Sequence, residues 1–374
     1  MPANLLEHVE FLKAASLKLL EGCKVTAHDS TVLYTPDGQG FYKALWTRDF
    51  AYMVENAGDL IPPDHIQACI RFILRGQRAD GVIPDRVRPD GIPVYAAGPE
   101  DKPLGEPNLD NPQFLVILVD EYLRNLPDAE SQALFTEWAP ALDRGMETIP
   151  LSAHGLVYNN SYRPHSPYGF TDTVRKTGEL FIESVLYWTA CLRLSYWHQR
   201  AGNIRQMVDY LQKSIHIENN LNLLWDGNTN AFFAATLECR QVDIWGNLYA
   251  LYVGFPLRKY QAQVSQFLVN NYSRYIWHGQ VRHLLSGDYW QQLLTPIETE
   301  QYQNGAYWGA AAGWAVWVIA QANPGLAEQI LSELVSDYTQ AGIYECVNQG
   351  YQKLQGYVVS GTNPLGAVRR LLKN

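Results

Sequence analysis

Twelve segments of helix length, each with apolar residues three or four positions apart, recur along the 374 residues and restrict the fold more than any other feature. Each is followed by a turn or a longer loop, and no sequence repeat or low-complexity stretch interrupts the series. The pattern therefore predicts an all-α chain. The predicted helices cover approximately residues 4–22, 46–59, 65–77, 111–123, 130–148, 178–200, 203–217, 242–254, 259–271, 307–321, 325–340 and 363–374.

The connections between these helices alternate in length. Those that follow the odd-numbered helices are long and rich in Trp, Tyr, Asp, Asn and Gly, whereas those that follow the even-numbered helices are short. If consecutive helices run up and down around a ring, every long loop lies on one rim, where functional residues are expected. We therefore predict an (α/α)6 barrel, a single domain over 1–374, with small hairpins in the loops at 91–96 and 154–159. The alternative is an irregular α-solenoid, which would show a repeat period.

Aromatic residues are frequent in the long loops. The chain has 11 Trp and 23 Tyr, and although core packing explains most of them, many stand beside polar residues, as in "FYKALWTRDF" and "QYQNGAYWG". Flat rings suit the apolar faces of a sugar, and neighbouring amides and carboxylates suit its hydroxyls. The composition therefore favours a carbohydrate pocket and a small-molecule carbohydrate as the partner.

Charge and motif content exclude several other classes. The net charge is −9 without a basic cluster, so we expect no nucleic-acid partner. Five widely spaced cysteines without a CxxC favour reduced thiols and a cytoplasmic location. The first helix reads as amphipathic rather than as a signal peptide, and no segment has the ~20 apolar residues of a membrane span. Metal-ligand spacings, P-loops and GxGxxG motifs are absent from the sequence, so we expect no metal and no cofactor.

Asp172 stands among aromatic residues in "YGFTDTVRKTGELFIESVLYW", which runs from 168 to 188 ahead of and into the sixth helix. One interpretation is a helix-start carboxylate, which free N–H groups and the helix dipole favour. The other is a desolvated carboxyl whose pKa rises, as a general acid near neutral pH requires.

The same stretch resembles the entrance to the sixth helix in the glucoamylase family, "YDLWEEV". With the valines aligned, Asp172 falls on the catalytic acid of that family, and the inverting trehalases and α-glucosidase I have an Asp at the corresponding place. Thr171 and Thr173 replace the Trp and the second Glu of the glucoamylase pattern. The resemblance implies a six-hairpin glycoside hydrolase of the (α/α)6 type.

"LWTRDFAYM" at 45–53 resembles the "WTRD" that glucoamylase-type enzymes use to hold the terminal sugar. The resemblance implies that Trp46, Arg48 and Asp49 bind substrate. The alternative is a surface ion pair at a helix start. "DNPQFLVILV" resembles the entry to the fourth helix of that family, so Asp110 and Asn111 would line the pocket, and Asp110 is the second candidate for the acid. The alternative there is an Asx-type turn before a proline at the first helical position.

Glu345 lies in "AGIYECVNQGYQKLQGYVVSGTNPLGAV", the loop that in glucoamylase-type barrels carries the catalytic base. The resemblance therefore assigns the base to Glu345, and the alternative is a solvated loop glutamate. Two further stretches, "VDIWGN" and "ETEQYQNGAYWG", resemble helix starts that line sugar subsites. They add the candidate binding residues Trp245, for which core packing is the favoured alternative, and Gln303, Asn304 and Trp308, together with the lower-ranked bases Glu298 and Glu300.

Arg175 and Lys176 follow the acid directly. They are either solvated or bind a substrate carboxylate or phosphate, or one of them holds Asp172 by a hydrogen bond; we count Lys176 among the candidate binding residues.

Together these features predict an inverting, exo-acting glycoside hydrolase in which Asp172 protonates the glycosidic oxygen and Glu345 activates water. An α-glucosidic substrate follows from the resemblance alone. The alternatives are a sugar phosphorylase on the same barrel, for which Arg175 and Lys176 would hold phosphate, and a non-catalytic carbohydrate-binding protein.

Overall fold

Twelve α-helices form the part of the chain that the computed structural model describes, residues 3–373. Asn374, the predicted end of the last helix, lies outside that part. The helices are α1 Ala3–Gly22, α2 Thr47–Ala57, α3 Pro63–Arg75, α4 Asn111–Leu123, α5 Asp128–Glu147, α6 Phe181–Arg200, α7 Ile204–Asn220, α8 Ile244–Tyr252, α9 Gln261–Asn270, α10 Ala312–Ala320, α11 Pro324–Gln340 and α12 Val358–Lys373.

The even-numbered helices form a closed inner ring. Each of α2, α4, α6, α8, α10 and α12 packs against the next, and α12 packs against α2. Their sequences explain this position, because α4 and α10 are apolar on nearly every face and a helix of that kind has to be surrounded by protein. The odd-numbered helices cover the ring from outside, and α3 and α7 among them are strongly amphipathic. The predicted (α/α)6 barrel is confirmed.

The strands are short and antiparallel, and all lie in connections that lead from an odd-numbered to an even-numbered helix. They pair as β1–β2, β3–β4–β5, β6–β7, β8–β9, β10–β11 and β12–β13. Because each of these connections ends at the start of an inner helix, they all lie on one rim of the barrel. The strands are β1 Lys24–Thr26, β2 Val32–Tyr34, β3 Leu45–Trp46, β4 Arg86–Val87, β5 Pro93–Val94, β6 Tyr158–Asn159, β7 Gly178–Glu179, β8 Trp225–Asp226, β9 Ala231–Phe232, β10 Ile276–Trp277, β11 Gln280–Val281, β12 Tyr344–Asn348 and β13 Tyr351–Gln355.

Helix α12 begins at Val358, five residues earlier than predicted, with Pro364 inside it. A proline inside a helix leaves the carbonyl four residues earlier without its N–H donor, which is why the prediction started the helix at the proline. Here that carbonyl belongs to Ser360 and accepts a hydrogen bond of 2.7 Å from Tyr338 Oη on α11. A tertiary contact therefore lets the helix run through the proline. Smaller differences occur at α6, where β7 occupies residues 178–179, and at α10, which a 3-10 turn precedes.

Candidate active site

A small cavity lies at the rim where the inner helices begin, and it brings together residues from four loops that are distant in sequence. Its volume is about 30 Å³, which is room for one water molecule. Both predicted catalytic carboxylates contribute to its wall, as does the predicted sugar clamp at the start of α2. The predicted site residues that line it are Trp46, Arg48, Asp49, Asp172, Trp308 and Glu345.

Asp172 follows a 3-10 turn, Gly169–Thr171, and lies nine residues before the start of α6. The helix-start interpretation is therefore wrong. Burial raises the pKa of Asp172 to about 7, against the lowering effects of the Arg48 charge and of a hydrogen bond from Gln303. No ion-pair partner lies within 4 Å of this carboxyl among the described residues. A substantial fraction of Asp172 is thus protonated at neutral pH, the state that a general acid needs.

Glu345 lies on β12 and is 2% exposed, so the alternative of a solvated loop glutamate is wrong. Tyr42 Oη donates to its Oε1 at 2.7 Å, and Lys353 Nζ lies 2.9 Å from its Oε2. Burial raises the pKa of Glu345, whereas the Lys353 charge and the Tyr42 hydrogen bond lower it. The ionised form thus has a direct cation and a hydroxyl donor, whereas Asp172 has only an amide donor. Such a difference between two carboxyls separates an acid from a base.

Arg48 is buried at the inner end of the cavity and is not part of a surface ion pair. Its guanidinium lies 3.1 Å from Asp110 Oδ2, 3.7 Å from Asp85 Oδ1 and 3.9 Å from Asp49 Oδ2. Asp49 Oδ1 also accepts a hydrogen bond of 2.5 Å from Tyr357 Oη, and burial raises the pKa of Asp49 to about 6. The Arg48 side chain therefore presents donors next to acceptors, as recognition of adjacent hydroxyls requires.

Asp110 and Asn111 do not line the cavity. Asp110 Oδ2 accepts from Arg48 and from the backbone N–H of Gly169 at 2.8 Å, so Asp110 supports the clamp from behind and is badly placed to be the acid. Asn111 is the first residue of α4, and its amide donates to the Ile83 carbonyl at 3.3 Å. Gly169 is required here, because a Cβ at this position would lie 1.5 Å from Arg48 Cζ.

Four further predicted residues lie behind the wall. Gln303 is buried and bonds Asp172, whereas Asn304 Oδ1 accepts from the Trp290 N–H at 3.0 Å and holds its own loop. Trp245 is a core residue under the cavity, with its ring centroid 5.5 Å from that of Phe170. Lys176 is fully buried and pairs with Glu183 at 2.5 Å, so the structure does not bring it into the cavity.

The lower-ranked candidate bases, Glu298 and Glu300, and the cation Arg175 also lie outside the cavity. Glu298 is exposed, and Glu300 accepts from Asn348 Nδ2 at 2.7 Å and from Tyr289 Oη outside the cavity. Arg175 pairs with Glu238 at 3.1 Å.

Several cavity residues were missed by sequence reasoning. Tyr42 stood in a stretch that had been noted only for its composition, and Lys353 was not considered. The signal for Lys353 was available, because "YECVNQGYQKLQ" reads as two short strands around a turn, and the register pairs Cys346 with Lys353, next to Glu345. The cavity residues that are not among the predicted catalytic or binding residues are Pro36, Tyr42, Gly169, Phe170, Tyr302 and Tyr357. Two of them do fit sequence expectations, Phe170 as an apolar neighbour of Asp172 and Tyr357 as a wall residue near Glu345.

A wider groove of about 930 Å³ lies outside the cavity and shares Tyr42, Trp46, Asp172 and Tyr302 with it. Asp172 therefore stands where the inner cavity meets the outer groove, which is where an acid reaches the bond between a bound sugar and its leaving group. A larger groove of about 1160 Å³ runs along α11 and contains neither catalytic candidate. Among the described residues, no group of three or more His, Cys, Asp and Glu has the arrangement of a metal site. No helix in the described part has the length and apolarity to cross a membrane.

The chain has the six-hairpin (α/α)6 fold seen in several glycosidases. No known family model and no curated protein matches the sequence. Solved structures do match it: a rhamnosidase from Klebsiella oxytoca with rhamnose bound has a TM-score of 0.68 and 14% identity, covering 98% of this chain and 64% of its own. The mannosylglycerate hydrolase of Thermus thermophilus, in complex with glucose, has a TM-score of 0.63 and 15% identity over 95% of this chain and 99% of its own. Glucoamylase from Saccharomycopsis fibuligera has a TM-score of 0.62 and 12% identity, covering 99% and 96%.

Proposed function

We propose that the protein is an inverting, exo-acting glycoside hydrolase with a single catalytic domain that cleaves a small glycoside or oligosaccharide. The observation that carries the proposal is the presence of Asp172 and Glu345 on the wall of one small cavity. Burial raises the pKa of both carboxyls, but only Glu345 has a cation and a hydroxyl donor to stabilise its ionised form. One continuous hydrophobic core, from Val9 to Val368, supports the single domain. The five buried free thiols support a cytoplasmic location.

In the proposed reaction Asp172 gives its proton to the glycosidic oxygen as the bond to the anomeric carbon breaks. A water on the opposite face attacks that carbon, and Glu345 takes a proton from the water. Inverting pairs stand about 6.5–9.5 Å apart to leave room for the water. The cavity, with its room for one water, and the ion pair with Lys353, which opposes the effect of burial on the pKa of Glu345, both support these roles.

Trp46, Arg48 and Asp49 would hold the terminal sugar at the closed inner end, and the leaving group would extend into the outer groove past Asp172. The buried ion-pair cluster around Arg48 closes that side of the cavity wall, and this supports an exo-acting enzyme. Two of the similar structures were solved with rhamnose or glucose bound, which supports a neutral hexose or deoxyhexose unit in the cavity. The resemblance to glucoamylase favours an α-glucosidic linkage.

Arg175 and Lys176, the two cations that would hold phosphate in a phosphorylase, do not support that alternative. Both Arg175 and Lys176 are engaged by glutamates, Glu238 and Glu183, and neither lines the cavity. A carboxylate with a cation and a hydroxyl donor already occupies the place where phosphate would attack.

The test is hydrolysis of a panel of aryl α- and β-glycosides of glucose, mannose and rhamnose, with the anomer of the first product read by NMR. We expect an inverted product, and we expect Asp172→Asn and Glu345→Gln each to lower kcat by roughly 10²–10⁴-fold without loss of the circular dichroism spectrum. Glu298→Gln, at the exposed glutamate of the neighbouring loop, is the matched control and should retain full activity.

Each of the other possible results identifies one alternative to the proposed function or mechanism. A retained anomer refutes inversion. Turnover that depends on phosphate identifies a phosphorylase. Sugar binding by calorimetry without any product identifies a non-catalytic protein, and full activity of either variant removes that residue from the mechanism.

A further inference from the structure

We infer that Gln303 is a positioning residue that determines which oxygen of Asp172 carries the catalytic proton. The inference rests on the proposed role of Asp172 as the acid. Sequence reasoning had counted Gln303 among the residues that bind substrate, but it is 1% exposed and lies behind the cavity wall rather than on it.

The hydrogen bonds of the Gln303 side chain fix the orientation of its amide. The backbone N–H of Thr173 points at one terminal atom, 2.9 Å away. A backbone N–H can only donate, so this atom has to be the carbonyl oxygen Oε1. Thr173 Oγ1 donates to the same oxygen at 2.6 Å. The other terminal atom is therefore the nitrogen Nε2.

Nε2 has two hydrogens, and both have acceptors. One points at the Gly169 carbonyl at 3.2 Å, and the other at Asp172 Oδ1 at 2.8 Å. Because the amide cannot turn over without opposing the Thr173 N–H, it donates to Oδ1 in both charge states of the acid. A proton on Oδ1 that pointed at the Gln303 N–H would be repelled by the amide hydrogen. The neutral form of Asp172 therefore carries its proton on Oδ2. Among the described residues Oδ2 has no hydrogen-bond partner, which leaves it available to a glycosidic oxygen.

The loop that carries Gln303 is held in place on both sides. The Glu300 N–H donates to the Asn304 carbonyl at 3.0 Å, and Asn348 Nδ2 donates to the Glu300 carbonyl at 2.9 Å. Gly305 closes the turn at φ +130°, where a side chain would be strained. Gln303 thus connects a fixed loop before α10 to the turn that carries the acid.

The test compares two variants. Gln303→Met keeps the approximate size of the side chain and removes all four hydrogen bonds of the amide, whereas Gln303→Glu keeps the acceptor for Thr173 and replaces the donor by a second oxygen. Gln301→Glu, at an exposed position in the same loop, is the matched control. Circular dichroism checks that each variant folds. If the buried glutamate of Gln303→Glu unfolds the protein, the same measurements are made on Gln303→Met alone.

The first readout is the dependence of kcat on the leaving group. An alkyl glycoside needs full protonation at the departing oxygen, whereas a 2,4-dinitrophenyl glycoside leaves almost without it. We expect a loss of roughly 10²-fold or more on the alkyl glycoside and of less than about 10-fold on the activated one for both Gln303 variants. A structural role alone would lower both rates equally, and that result would overturn the inference.

The second readout does not need turnover. Aspartate labelled with ¹³C at the carboxyl carbon is titrated by NMR, and the Asp172 signal is assigned by its absence in Asp172→Asn. Losing the Gln303 donor disfavours the charged carboxylate, so the titration of Asp172 should move to higher pH in Gln303→Met and stay in place in Gln301→Glu. If the Asp172 titration is the same in Gln303→Met as in the wild type, the inferred role of Gln303 is refuted, even if the protein hydrolyses none of the glycosides. The inference about Gln303 and the proposed hydrolase function can therefore fail independently.

Discussion

Replacing Asp172, the proposed acid, should make the protein more stable as well as inactive. In Asp172→Asn the amide keeps an oxygen that can accept the Gln303 N–H, while the carboxyl that burial holds partly neutral is gone. A carboxyl whose pKa is higher in the folded than in the unfolded chain binds more protons when folded. The stability of the wild type therefore falls as the pH rises from the unfolded value towards the folded one, and then stays low.

The magnitude follows from the two pKa values. The pKa of Asp172 is about 7 in the folded chain and 3.8 in the unfolded chain, a difference of about three units. Each unit is worth about 1.36 kcal/mol, so ionised Asp172 lowers the free energy of unfolding at pH 8 by about 4 kcal/mol. This is an upper limit, because the carboxyl borders a cavity with room for water, which screens its charge. We expect Asp172→Asn to gain ~2–4 kcal/mol at pH 8 and well under 1 kcal/mol at pH 4, where the unfolded carboxyl is itself close to half protonated.

Urea unfolding followed by tryptophan fluorescence at pH 4 and pH 8 measures both gains, and the exposed Asp101→Asn serves as the control for removing a charge. A variant no more stable than the wild type at pH 8 would refute the reasoning. A gain of equal size at both pH values would also refute it, because that result would trace the effect to packing rather than to ionisation.

Three further substitutions test the surroundings of the acid and the base. Gly169→Ala would put a Cβ 1.5 Å from a guanidinium carbon, so kcat/KM should fall at least roughly 100-fold, and an unchanged value would contradict the close contact. Tyr42→Phe removes a donor that lowers the pKa of Glu345, so the acidic limb of the kcat/KM profile should move to higher pH; a profile that stays in place would exclude Glu345 as the base. Lys176→Met leaves Glu183 buried without its cation and should cost ~3–5 kcal/mol in urea unfolding, most of which the double variant with Glu183→Gln recovers; equal losses in both would show that the pair does not act together.

The fold could be predicted from the sequence because two independent patterns agreed. Helices such as α4 and α10 are apolar on nearly every face and have to be surrounded by protein, and the long loops before them alternate with short ones. Together these patterns leave few arrangements besides a ring. The placement of Trp46, Asp172 and Glu345 at one cavity followed from the same rim, because each lies in a connection that ends at the start of an inner helix.

What the sequence could not show depends on contacts between distant segments. Lys176 looked available for substrate because its partner, Glu183, lies beyond β7 in the first turn of α6, and only the packed structure brings the two together. Likewise, Pro364 looked like a helix start until Tyr338 supplied a donor for the freed carbonyl. Polar groups in the interior are satisfied by whichever segment packs against them, and local sequence does not record that segment.

The size of the cavity adds a constraint on how a substrate would enter. A pyranose ring needs more room than about 30 Å³, so the proposed substrate would either extend into the outer groove, which adjoins the cavity, or displace part of the wall. Tyr302 lines both the cavity and the outer groove, and its ring lies under Lys353 Nζ, 3.3 Å from the centroid. The same lysine pairs with Glu345, so a displacement of the Tyr302 ring would alter the surroundings of the base at the moment when the sugar arrives. If the Tyr302 ring moves in this way, we expect substrate binding to change the pKa of Glu345 through Lys353.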